Sequence, residues 1–193
     1  MVGMGELGVA LRMGIYRVDP RTRKIIEKIW SGEDPFIIAL IDTLYGTFAN
    51  VSVNVVDTGG TSRSITSAVY FGYNGFGALG ETLRGIQVGS GSAPVSMSDY
   101  ALGSLITHGT GSGQLYYYAC QTDLHTFSTK RLRIFQRPIA NKSGTNITAY
   151  EMGLALTTNS NYTCLLARNV ISGGVSLVNG GYYVFQYMFE VAP

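Results

Sequence analysis

Apolar residues recur at every second position from Leu7 through Val9, Leu11 and Met13 to Ile15, the period of a strand with one buried face. Val18-Asp19-Pro20-Arg21 then supplies a turn, because proline presets its own φ and aspartate bonds nearby backbone amides. The apolar run over 25–30 completes a predicted N-terminal hairpin. One helix is predicted from Asp34, whose carboxylate can cap free N–H groups, with Pro35 at the first helical position, where a missing donor costs nothing. It runs to about Gly46. Ile37, Leu40, Ile41, Leu44 and Phe48 share one face at spacings of three and four, and Phe36 and Ile38 extend the apolar surface beyond a single stripe. Such a helix requires burial, so Phe36, Ile37, Leu40, Ile41 and Leu44 are candidate assembly contacts under a neighbouring subunit.

From Asn50 onward, short β-branched and aromatic runs alternate with clusters of Gly, Ser, Thr and Asn, the texture of a sandwich or barrel. Val51, Val53 and Val55 alternate up to Asp57-Thr58-Gly59-Gly60, and a run through Ile65, Ala68 and Tyr70 returns as the second arm of a hairpin. Further strands are predicted over 83–88, 115–122, 131–138, 147–157, 162–170 and 182–191, eight or nine in all. In the last, Tyr183, Phe185, Tyr187, Phe189 and Val191 point one way, and Tyr182, Val184, Gln186, Met188 and Glu190 the other. Bulk on both faces marks that strand as central or interfacial. The predicted fold class is all-β, a jelly-roll-like antiparallel β-sandwich with one N-terminal helix. Residues 1–48 form the hairpin and helix, an inter-subunit arm, and 49–193 the sandwich.

Composition sharpens this picture. The chain of 193 residues is 46% apolar and only 13% charged, about half the charge of an ordinary soluble protein. So little charge suggests surface hidden against partners, and the balance excludes disorder. No apolar run is long enough to span a membrane as a helix, and residues 1–8 lack the basic start and apolar run of a secretory signal peptide. A net charge of +2 does not announce a nucleic-acid surface. Arg12, Arg17, Arg21, Arg23, Lys24 and Lys28 read as a solvated hairpin. Lys130, Arg131, Arg133 and Arg137, interleaved with Leu132, Ile134 and Phe135, read as a strand with one wet face.

Candidate chemistry is sparse. Gly3-Met4-Gly5-Glu6-Leu7-Gly8 fits the dinucleotide fingerprint in letters, but lacks the strand before it and the helix after it. Neither glycine-rich stretch, 89–92 or 109–113, runs into the Gly-Lys-Ser/Thr of a P-loop, so both read as loops. His108 and His125 have no metal-ligand spacing. No Gly-x-Ser-x-Gly elbow supports a nucleophile, and no carboxylate pair stands out. No catalytic residue, cofactor site or metal site is therefore assigned. Cys120 and Cys164, 44 positions apart, either pair or stay buried thiols; the apolar runs around them favour thiols. Asn50, Asn141, Asn146 and Asn161 each begin an Asn-x-Ser/Thr pattern and are candidate glycosylation acceptors. Thirteen tyrosines, adjacent in the 116–118 and 182–183 runs, suit core packing, subunit interfaces or sugar platforms.

Three segments carry a likeness. Gly89-Ser90-Gly91-Ser92-Ala93-Pro94 leads to Asp99-Tyr100-Ala101-Leu102; Thr148-Ala149-Tyr150-Glu151-Met152-Gly153-Leu154 follows; then comes Leu166-Ala167-Arg168-Asn169. In order and spacing they resemble the G-x-G-x-x-A-P, D-Y-x-L, T-E-x-G-L and L-x-A-R segments of virion structural proteins of tailed phages and related prokaryotic viruses. The likeness covers about residues 50–192, with Ala149-Tyr150 standing before Glu151 where the family often has Thr. Physically, the glycines end a strand, Pro94 blocks its continuation, Ser96 with Asp99 starts a short helical turn, and Tyr100 and Leu102 pin that turn to the sandwich.

The resemblance implies a virion component, such as a tail, fibre, turret or capsid-associated protein, assembled as a symmetric homo-oligomer with other virion proteins. It implies no catalytic residues. The competing reading is a carbohydrate- or receptor-binding module, including one recognising a host-surface glycan, with exposed aromatic rings on a rigid sheet; an enzyme is the third reading. No nucleic-acid partner and no membrane span are expected.

Overall fold

The computed structural model describes residues 8–33, 39, 42, 45, 51–65, 76–126, 131–158 and 162–192. Its strands, in chain order, are β1 (Gly8–Val18), β2 (Ile25–Glu33), β3 (Val53–Val56), β4 (Ser62–Ile65), β5 (Gly85–Gly89), β6 (Tyr116–Tyr117), β7 (Gln121–Thr126), β8 (Arg131–Ala140), β9 (Ile147–Thr157), β10 (Thr163–Leu177) and β11 (Tyr182–Ala192). Every ladder between them is antiparallel. The larger sheet runs β2-β1-β11-β8, with β6 and β7 pairing successive parts of β8 along its far edge. The smaller sheet runs β10-β9-β5, and β3 with β4 forms a separate hairpin.

The architecture is an all-β, sandwich-like stack of antiparallel sheets. Met13 and Ile15 of β1, Ile139 of β8 and Tyr183, Phe185 and Tyr187 of β11 are buried from the larger sheet. They share one cluster with Ile86 and Val88 of β5, Met152 and Leu154 of β9, and Cys164 and Leu166 of β10. Each such side chain contributes about 1.5–3 kcal/mol on leaving water, and the two inward faces interlock as in other sandwiches. The period-2 expectation for β11 holds: alternate members face the core, and the strand is central, between β1 and β8.

The first predicted hairpin forms, and the second forms as far as Ile65; Ala68 and Tyr70 lie outside the described residues. Asp19 Oδ1 accepts the amides of Arg21 and Thr22 at 2.7 and 3.1 Å between β1 and β2. Asp57 Oδ1 accepts those of Gly59 and Thr61 at 3.0 and 2.9 Å between β3 and β4. The single strand expected over 115–122 is instead two, β6 and β7. β10 runs to Leu177, past the expected end at Val170, because its register shifts between Val170 and Val175. Gly173 and Gly174 occupy that bulge at φ of 78° and 70°, a region that strongly favours glycine.

The expectation of one wet face on β8 is corrected. Arg137 is fully buried, on the same side as Ile139. Toward the Ala140 end of β8, strand parity turns Arg137 and Ile139 to the core while Gln136 and Pro138 face outward; Arg133, nearer the other end, is exposed. The helix predicted from Asp34 lies outside the described residues apart from Ala39, Asp42 and Tyr45, so Phe36, Ile37, Leu40, Ile41 and Leu44 are outside them too.

β9 departs from simple alternation: every residue from Glu151 to Leu156 is buried. Its inward positions enter the core; on the outward side the loop 90–104 covers Glu151 and Gly153, and Ala155 packs with Leu165. An isolated bridge between Gly89 and Leu105 closes that loop, with the Ser90 amide donating to Ser104 O at 2.8 Å. Compact loops with joined ends are packed by their own side chains; here Leu102 is buried, close over Gly153.

Candidate functional site

The segments that carry the likeness meet at the base of this loop. Glu151 lies fully buried on the outward face of β9. Its Oε1 accepts the amides of Gly91 and Ser104 at 3.0 and 2.8 Å, and its Oε2 accepts that of Gly103 at 3.0 Å. Arg168 on β10 donates through Nε to Oε2 at 2.8 Å, through Nη1 to Asp99 Oδ2 at 2.8 Å, and through Nη2 to Ala93 O at 3.1 Å. Asp99 Oδ2 in turn accepts the Ser96 amide at 2.8 Å, while the Asp99 amide donates to Ser96 O at 3.0 Å. Burial alone would lower the affinity of Arg168 for its proton, but its bonds to Asp99 and Glu151 outweigh this and raise its pKa.

Glycine is required where the loop passes this carboxylate. A Cβ on Gly89 would sit 2.5 Å from Glu151 Oε1 and 2.6 Å from Ser104 O, and the second of these is backbone that cannot swing away. In place of the expected helical turn, Ser96 and Asp99 close a single hydrogen-bonded turn. Tyr100 corrects its expected role: it is 46% exposed, lies near Gly60, and leaves Leu102 as the apolar pin. Glu151 and Arg168 are thus held by a saturated set of bonds, an arrangement suited to fixing a loop.

A second buried cation was not anticipated from sequence. Arg137 donates all five of its N–H groups to carbonyls: Nε to Tyr118 at 2.8 Å, Nη1 to Arg84 and Ile86 at 3.1 and 3.0 Å, and Nη2 to Ala78 at 3.0 Å and also to Glu81. Its guanidinium carbon lies 4.9 Å from the centre of the Tyr117 ring. Burial lowers its pKa, with Cys120, Tyr117 and Glu81 acting in the opposite direction. The residue ties the segment 78–86 to the larger sheet.

The outward face of that larger sheet carries a groove of about 730 Å³. Strand register builds its floor: Gln186 pairs with Gln136, and Gln136 with Gln121. Three glutamines therefore form a row across β11, β8 and β7. Gln186 Nε2 donates to Gln136 Oε1 at 2.9 Å, and Gln136 Nε2 approaches Gln121 Oε1 at 3.5 Å. Tyr16, Tyr118 and Tyr182 are part-exposed around the row. The Tyr16 ring folds back across Gly14, where a Cβ would meet it at 2.6 Å. The Tyr118 and Tyr182 centroids are 5.5 Å apart. Tyr182 has a raised pKa because burial disfavours its anion and Tyr118 adds to this, with Arg23 opposing.

Arg23 stands at the rim of this groove. Its φ of 56° is the only positive value at a non-glycine among the described residues, a conformation costing a non-glycine residue about 1 kcal/mol. Its amide donates to Asp19 O at 2.8 Å, which closes the β1–β2 turn.

The remaining sequence candidates are dispersed. His108 accepts the Tyr117 amide at Nδ1, 3.1 Å away, and its ring lies 4.8 Å from that of Tyr116; nothing is described for the His125 side chain. Cys120 and Cys164 are buried free thiols, and burial, reinforced by Asp57, pushes the Cys164 thiol up to about 11. No group of three or more His, Cys, Asp or Glu that could hold a metal ion occurs among the described residues.

Asn50 and Asn161 lie outside the described residues, and Asn146 is exposed. Asn141 is fully buried, donating from Nδ2 to Thr145 O and Leu177 O at 2.8 and 2.6 Å. A glycan on that nitrogen and this packing exclude one another.

Among the described residues no helix is long and apolar enough to cross a membrane. Comparison with protein-family models, curated proteins and solved structures finds no match for this chain.

Proposed function

We propose that this chain is a non-enzymatic structural component of a virus particle, assembling as a symmetric oligomer at or near the particle surface. The observation that carries the reading is the convergence of Gly91, Asp99, Glu151 and Arg168 in one buried cluster. These residues come from each of the segments that resemble virion proteins, and a shared loop-fixing device accounts for their joint occurrence. The sparse charge of the chain supports assembly. So do Ile26 and Leu83, 60% and 64% exposed, since exposed large apolar side chains suit subunit contact.

The 34–46 segment is read as a helical arm reaching a neighbouring subunit. The winding of the sandwich is read as jelly-roll-like where β8 to β9 and β10 to β11 pass between sheets; β7–β8 and β9–β10 turn back within one. Closed rings are expected of the oligomer, because closure avoids runaway fibres. Light scattering on the undenatured protein tests this reading. A discrete oligomer that Leu44→Asp reduces to a folded monomer supports it, and a wild-type monomer overturns it.

A further inference from the structure

We infer that the outward groove of the larger sheet is a binding site for a saccharide bearing a carboxylate. Its floor is a sheet face centred on β11 and β8, each already paired on both sides, so an added β-strand has no backbone donors to meet on these two strands. Beside the aliphatic Val18, Ile25, Leu79 and Val184, it offers planar amides and the faces of tyrosine rings. Gln186, Gln136 and Gln121 present alternating donors and acceptors at the inter-strand step of about 4.8 Å, a spacing suited to hydroxyls around a sugar ring. Tyr118 and Tyr182 supply ring surface of the kind that packs against the C–H face of a pyranose, with a hydroxyl at the tip for hydrogen bonding.

The charge of the lining selects among saccharides. Among the described residues, Arg23 is the one charged residue lining the groove, and no Asp or Glu accompanies it there. The left-handed backbone at Arg23 closes the β1–β2 turn and so fixes where its side chain leaves the chain at the rim of the groove. A guanidinium with open donors suits a carboxylate in its planar, two-pronged geometry. The assignment is independent of the particle reading: it requires only the groove.

The test is binding of the full chain to an array of neutral, sialic-acid-terminated and uronic-acid-containing oligosaccharides, with titration of the strongest ligand followed by NMR. The expected result is selective binding to acidic members, weakened at least about tenfold by Arg23→Gly and by Gln136→Ala, with melting temperatures unlowered. Gln121→Ala, at the exposed end of the row, serves if Gln136→Ala fails to fold. Absence of binding to any saccharide overturns the assignment, as does equal binding of neutral and acidic members or undiminished binding by these variants. So does a Gln136→Cys protein that cross-links to a second copy through the groove while binding no sugar.

Discussion

Arg168 approaches Glu151 Oε2 through both Nε and Nη2 at 2.8 Å, with the two side chains 3% and 0% exposed. The pair joins β10 to β9, yet its larger effect is on the loop 90–104, which it holds through Asp99 and the amides of Gly91, Gly103 and Ser104. Removing one partner from such a buried pair leaves an uncompensated charge, at a cost of about 3–5 kcal/mol. Arg168→Met is expected to lower stability by that amount in urea denaturation. Arg168→Lys should recover little of it, because one ammonium cannot serve Glu151, Asp99 and the loop carbonyls together.

Gly89→Ala should destabilise by about 1–3 kcal/mol, the usual range for overpacking. The added methyl meets the Glu151 carboxylate and the Ser104 carbonyl, so the loop must lift. Hydrogen exchange of the Ser104 amide measures this directly: it should quicken in the variant while the amides of β11 keep their protection.

Arg137→Leu leaves the carbonyls of Ala78, Glu81, Arg84, Ile86 and Tyr118 without their buried donor. Each unsatisfied buried group costs about 1–3 kcal/mol before relaxation. The variant is expected to lose at least about 3 kcal/mol in chemical denaturation. A smaller loss would mean that water replaces the guanidinium in the segment 78–86.

Asp57 gives the fold a pH dependence of known sign. Its carboxylate is held below the ordinary range first by the Arg63 side chain, whose Nε lies 2.7 Å from Oδ2, and then by the Thr61 amide. A carboxylate with a depressed folded-state pKa stabilises the fold above its unfolded value, near 3.9, and that stability is lost as pH falls through the folded value. The melting temperature should therefore drop between pH 5 and 3. Asp57→Asn should melt lower at pH 5 and show a smaller drop.

Much of this fold was legible in the sequence because strand period and turn chemistry are local. The alternation through Met13 and Ile15 and in 182–191 marked β1 and β11, and Asp19-Pro20 and Asp57-Thr58-Gly59-Gly60 marked their turns. The Gly89 to Leu102 segment and Glu151 were marked as scaffold only by the resemblance to virion proteins. Their ligation to one another was not marked, since it depends on which face of β9 the loop 90–104 covers.

Tertiary structure alone decided the rest. The sequence by itself determined the all-β class, most strands and the division of β11 into two faces, each set by residues within a few positions of one another. It could not orient Arg137, whose burial depends on carbonyls more than fifty positions away. Nor could it align Gln121, Gln136 and Gln186, because a register shift of one residue would turn a strand's whole set of side chains to the opposite face. Side-chain period is local; register and burial are properties of the assembled sheets.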